Sequence, residues 1–192
     1  MSINFRPLTK YDANYLKVID LYKEAFPGAQ HIPTWILRYK LRNGKAGFNV
    51  LYAQDTWIGL IYITEYQDIV FVHFLAISES CRSGGYGSKV MDSLKEMCSG
   101  KRIVLNIEVI DKKGKNYQQR LKRKAFYEKN GFTSSGYIVK EPAERLEMLI
   151  LSGNITKEEI EAMYKDLFGG ILGFIFRPKV IKVEGAQNSV SA

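Results

Sequence analysis

Three apolar runs, Phe48–Ala53, Trp57–Glu65 and Ile69–Ile77, follow one another with three residues between each pair. Connections so short leave no room for crossover helices, and the pattern predicts consecutive antiparallel strands. Ahead of them, residues 3–8 read as a strand. Asp12 stands where it would cap a helix carrying Leu16, Ile19, Leu21, Tyr22 and Phe26, which ends near Pro27-Gly28, and a second helix covers 33–42. After the meander, Val90, Met91, Leu94 and Met97 or Cys98 recur at helical spacing until Gly100. The β-branched run at 102–110 predicts a buried strand. Residues 116–130 predict a helix closed by Gly131 in the left-handed conformation, with two more strands at 137–140 and 146–151. The sum is an α/β (α+β) domain with a mixed sheet over residues 1–151. A C-terminal extension follows over 152–192. In it, Thr156 and Glu159 form a capping box for a helix to about Phe168, followed by the apolar "GGILGFIFRPKVIKV" and a polar end expected to be disordered.

At 192 residues and 46% apolar content, the chain can bury a substantial core. It has no run near the roughly 18–20 apolar residues of a membrane span, and its start lacks the layout of a secretory signal, so a cytoplasmic, non-membrane protein is expected. Two cysteines, Cys81 and Cys98, are too few for a disulfide framework or a metal site. The net charge of +8 gathers partly in "KKGKNYQQRLKRK", residues 112–124. With no nucleic-acid signature beside it, that run reads as a solvated helix face, and no nucleic-acid partner is expected. The run Ile171–Phe176 is too short to cross a bilayer and is expected to pack on the sheet or on a second copy in a homodimer.

The segment "FLAISESCRSGGYGSKVMDSL" joins a buried strand to a helix through Arg82-Ser83-Gly84-Gly85-Tyr86-Gly87. A helix N-terminus stripped of side chains is suited to a phosphate, because its unpaired N–H groups carry partial positive charge. A nucleotide-hydrolysing phosphate loop needs Gly-Lys-Ser/Thr at its end, whereas Ser88 and Lys89 follow Gly87 here. A dinucleotide fingerprint needs a third glycine where Val90 stands. What remains, Arg82-x-x-Gly85-x-Gly87, resembles the acetyl-CoA loop of the GCN5-related N-acetyltransferase (GNAT) superfamily. A second stretch, "RKAFYEKNGF" at 123–132, is similar to that family's signature of an aromatic followed by Tyr-Glu-Lys-x-Gly-Phe. The resemblance covers about residues 3–151. It implies a mostly antiparallel central sheet flanked by helices and acetyl-CoA as cofactor. It further implies that the N–H groups of Ser83, Gly84, Gly85, Tyr86, Gly87 and Ser88 hold the pyrophosphate, with Arg82 adding charge. Leu75, Ala76 and Ile77 would line the pantetheine arm through main-chain bonds, and Asn116 would contact the cofactor arm.

Acetyl transfer to an amine needs the neutral nucleophile, yet a lysine-like ammonium with pKa about 10.4 is neutral at pH 7 in about one molecule in a few thousand. A base corrects that, and a proton donor near the leaving sulfur assists the other side of the reaction. By the resemblance, Tyr127 holds the position of the acid. His73 shares a face with Leu75 and Ile77, titrates near neutrality, and is the preferred base. Glu65 and Glu108 compete with it, Glu108 because alternation along Asn-Ile-Glu-Val-Ile turns it toward the same cleft. The resemblance also sets Tyr22, Phe26, His31 and Trp35 on helices that wall the acceptor cleft, although aromatics at this spacing equally form core. The acceptor is expected to be an amine of a small molecule or peptide, acetylated directly in a ternary complex. A module that binds coenzyme A without catalysis is the alternative. An acetyl-cysteine on Cys81 lacks a base partner.

Overall fold

The first half of the chain buries the strands that its apolar runs predict. In a computed structural model, residues 2–9, 11–26, 47–114, 116–141, 144–168 and 178–183 are described. The chain divides into two units, Met1–Glu65 with Val70–Ser99, and Tyr66–Ile69 with Gly100–Ala192. The anticipated helix at 33–42, the apolar run 171–176 and the polar end 184–192 lie outside the described residues.

The first unit contains β1 (Ile3–Pro7), α1 (Tyr15–Ala25), β2 (Gly47–Ala53), β3 (Thr56–Tyr66), β4 (Ile69–Ile77) and α2 (Tyr86–Met97). Its strands lie in the order β1-β2-β3-β4, with β1 on β2 and β2 on β3 antiparallel. Every residue from Ile58 to Ile63 is buried, so both faces of β3 are covered, and that is why the sequence shows a continuous apolar run there rather than alternation. Gly59 marks a close approach: a Cβ added to it would lie 2.1 Å from the carbonyl oxygen of Ala76 on β4. Helix α1 starts later than the sequence suggests. Asn14 occupies the N-cap, and Asp12 accepts a hydrogen bond from the Asn14 N–H (2.8 Å) instead of capping the helix. Starting at Tyr15 turns Val18, Ile19 and Tyr22 inward and leaves Leu16 73% exposed. Tyr22, fully buried, meets Phe26, Phe48 and Phe74 edge-on or tilted, which makes it core rather than cleft wall. His31 and Trp35 lie outside the described residues.

The second unit contains β5 (Arg102–Glu108), α3 (Tyr117–Lys129), β6 (Thr133–Lys140), β7 (Arg145–Leu151), α4 (Lys157–Phe168) and β8 (Lys179–Lys182), with the strands in the order β5-β7-β6-β8. All three neighbouring pairs are antiparallel. Gly131 ends α3 with φ +89°, as its position implies. The capping box of α4 is present in both directions: Glu159 N–H donates to Thr156 Oγ1 (3.2 Å), and Thr156 N–H donates to Glu159 Oε2 (2.8 Å). Strand β8, four residues on the free side of β6, has no counterpart in the sequence reading.

Arg102 gathers this unit. Its guanidinium donates to both oxygens of Asp68 (2.8 and 2.7 Å), both oxygens of Glu159 (3.1 and 2.7 Å) and the Asn154 carbonyl (2.7 Å). The paired charge holds both carboxyls below their usual range. Arg102→Leu is expected to destabilise the fold at neutral pH, because it removes charge-assisted bonds, by an amount that solvent screening keeps modest. The sign with pH follows from the lowered carboxyl values. The stabilisation is present above the unfolded carboxylate range and fades as pH falls through the folded values, so wild type and variant should converge in acid. Urea titrations at pH 7 and in acid check this, and an equal gap at both would contradict it.

Candidate functional site

In the first unit, β4 runs into a single 3-10 turn (Glu79–Cys81), four further turn residues, and α2. The chain reverses there through two left-handed residues, Ser83 (φ 65°) and Gly85 (φ 74°). Gly85 is the N-cap, a position that most side chains disfavour at this φ. Among the described residues, a Cβ built on it meets nothing within 4 Å. Among those residues no side chain caps α2, and its first backbone bond is Lys89 N–H to the Gly85 carbonyl (3.2 Å). Among the described residues, no backbone carbonyl accepts from the N–H groups of Tyr86, Gly87 or Ser88. Three orphan donors at the positive end of a twelve-residue helix fit a diphosphate.

Arg82 does not simply face outward. Its Nε donates to the Ile77 carbonyl (3.1 Å) and its Nη2 to Glu24 Oε1 (3.1 Å), which ties the glycine turn to the end of β4 and to α1. Glu24 is a member of the site that sequence reasoning missed, and no motif flags it. Along β4, the Ala76 carbonyl lies against β3 at Gly59, and Ser78 N–H donates to the Ile58 carbonyl (2.8 Å). Strand alternation then directs the main chain of Leu75 and Ile77 away from β3, so those two residues, more than Ala76, offer bonds to an extended ligand.

His73 is half-buried on the same strand, its Nε2 2.7 Å from Thr64 Oγ1. Its ring lies 4.0 Å from Phe71 and 4.9 Å from Tyr62, whose phenol burial pushes up to about 12. Thr64 and the two rings fix the imidazole plane. When Nε2–H donates to Thr64, the basic lone pair is on Nδ1. Glu65, the next residue after Thr64, is exposed.

In the second unit, Glu108 ends β5 with its side chain buried, and both carboxylate oxygens are engaged. Arg123 Nη1 donates to Oε2, and Asn116 Nδ2 donates to Oε1 (3.2 Å). Asn116 is the N-cap of α3; its Oδ1 accepts from Arg120 Nε (2.8 Å), while Arg120 Nη1 donates to the Val109 carbonyl (2.6 Å). Asn116 is thus committed to a network of side chains that positions the start of α3. Arg120 and Arg123, part of the run read as a solvated face, are the second group that the sequence did not reveal. Tyr127 follows Arg123 by one turn of the same helix. It is half-buried, with its ring 5.6 Å from Phe132 and 5.1 Å from Phe126. Burial pushes its phenol up to about 12, against the opposing pull of the Arg123 charge.

Residues 44–134 match the model of the acetyltransferase (GNAT) domain family. The YjbC protein of Bacillus subtilis, which bears an acetyltransferase name, is 28% identical over 113 residues, 54% of this chain and 56% of its own. The chain therefore spans little more than half the length of that relative. A GNAT-family protein of Bacteroides thetaiotaomicron superposes with a TM-score of 0.72, covering 88% of this chain and 98% of its own at 23% identity. A GNAT acetyltransferase of Elizabethkingia anophelis with acetyl-CoA bound gives 0.55, covering 79% and 99% at 14% identity. The structural likeness establishes the fold. Both the glycine turn and the Tyr127 motif fall inside the segment that matches the GNAT acetyltransferase domain model.

Proposed function

We propose that this protein transfers the acetyl group of acetyl-CoA directly to a primary amine. The observation that carries this reading is the N-terminus of α2, uncapped among the described residues, behind a left-handed Gly85, inside a segment that matches the GNAT family. The N–H groups of Ser83 through Ser88 hold the diphosphate of the cofactor, Arg82 braces that turn, and Leu75 and Ile77 bond its arm. When bound, acetyl-CoA supplies the activated thioester. Tyr127 donates a hydrogen bond to the departing sulfur; with its phenol held near 12, it remains the protonated donor throughout the neutral range. His73 accepts the proton of the incoming ammonium, directly or through a water molecule. The engagement of both oxygens of Glu108 supports a positioning role, in which it anchors Asn116 and Arg123 ahead of Tyr127. Glu65, exposed beside Thr64, is the second candidate for the base.

Thiol release from acetyl-CoA, followed across polyamines, aminoglycosides, amino acids, aryl amines and peptides, tests the activity. Release that depends on one class of amine is expected; binding without release from any amine would make this a coenzyme A-binding module. For the base, His73→Ala should lower kcat/KM at pH 7 by about 10²-fold and remove the acidic limb of its pH profile. A profile of unchanged shape would move the role to Glu65.

A further inference from the structure

The second unit lines up three cations in one row. Lys140 on β6 stands directly opposite Arg145 on β7 and, on its other side, directly opposite Lys179 on β8. Residues in direct antiparallel register share one face, with Cβ atoms about 4.5–5.5 Å apart. All three are exposed, and none has a carboxylate partner among the described residues. Like charges in this arrangement destabilise a sheet. Protection of an edge strand accounts for Lys179, but not for Lys140 and Arg145 on strands paired on both sides.

The carboxylates nearby do not relieve the row. Glu147, two residues along β7 on the same face, is already bound by Lys124 (2.9 Å). Glu141 and Glu144 are the immediate chain neighbours of Lys140 and Arg145, just beyond the ends of β6 and β7. Burial, and after it the charge of Glu141, raises the titration of the Tyr164 phenol on α4. A fourth cation adjoins the row: Arg145 O accepts from Val109 N–H (3.0 Å), and the Val109 carbonyl holds Arg120. The register also places Arg145 next to Leu146, the partner of Glu108, so the row lies beside the end of β5 that carries Glu108.

We infer that Lys140, Arg145 and Lys179 form a docking surface for the acetyl acceptor, and that this acceptor is a polypeptide with acidic residues close to its reactive amine. This rests on the acetyltransferase reading for the word acceptor. A peptide is favoured over nucleic acid because the side chains that continue this face, Ile138 and Ile181, are aliphatic and offer bases no aromatic ring to stack on.

Anisotropy of three fluorescein-labelled probes on the full chain tests it: a peptide of alanine followed by six glutamates, its glutamine counterpart, and a uridine 12-mer. Two variants with the same change in net charge are compared, K140E/R145E/K179E and K17E/K23E/K129E, each checked for folding by circular dichroism. The glutamate peptide should bind wild type at least about tenfold more tightly than the glutamine peptide and lose that margin only in the first variant. Equal loss in both variants, no preference for glutamate, or loss confined to the RNA would overturn the inference. Calorimetric acetyl-CoA affinity separates the two failures. If it is retained while the peptide preference is absent, only the acceptor assignment fails; if it is absent, the catalytic reading fails.

Discussion

Tyr127→Phe is expected to lower kcat by about 10²- to 10⁴-fold while acetyl-CoA affinity changes by no more than about twofold. The substitution removes one oxygen from a ring packed against Phe126 and Phe132, so the helix keeps its contacts and only the proton donor is lost. A phenol acts as an acid in its protonated form, which prevails below its titration at about 12 and is lost above it. Wild type should therefore show no alkaline loss of kcat from this residue between about pH 8 and 10, the range in which an unperturbed tyrosine begins to ionise. An alkaline limb near pH 10 that vanishes in Tyr127→Phe would contradict the environment assigned to this side chain. Equal turnover in the variant would remove the role altogether.

Gly85→Glu should raise the dissociation constant for acetyl-CoA at least about 100-fold. Two effects act together. The N-cap φ of 74° is unfavourable for glutamate, and its carboxylate would occupy the space where the diphosphate is expected. Gly85→Asn separates them, since asparagine tolerates the left-handed conformation and brings no charge. It should retain most of the affinity, within about tenfold. Calorimetry on both variants, with circular dichroism as the control for folding, checks the pair. Wild-type affinity in folded Gly85→Glu would place the cofactor elsewhere.

Much of this architecture could be read from the chain because local chemistry and tertiary need agree. Glycine at 131 closes α3, Thr156 and Glu159 cap α4 reciprocally, and the three apolar runs of the meander become β2, β3 and β4 with ends shifted by a residue. The glycine turn was legible for the same reason: a left-handed N-cap needs a small residue. What escaped depends on contacts distant in sequence. Glu24 and Arg82 are 58 residues apart, Thr64 finds His73 only once the β3–β4 hairpin closes, and Glu108 meets Arg123 across a loop and two helical turns. Asp12 shows the converse. A good capping residue is bypassed when the N-cap falls two residues past it, because the core selects Val18 and Tyr22 over Leu16.

The most direct test follows backbone amide signals of the isotopically labelled protein as acetyl-CoA is added. The signals of Gly85, Tyr86, Gly87 and Ser88 should shift most and saturate with the calorimetric affinity. A parallel titration with acetyl-pantetheine, which lacks the diphosphate, should leave those four in place. Saturable binding that moves other amides and spares the start of α2 would contradict the account.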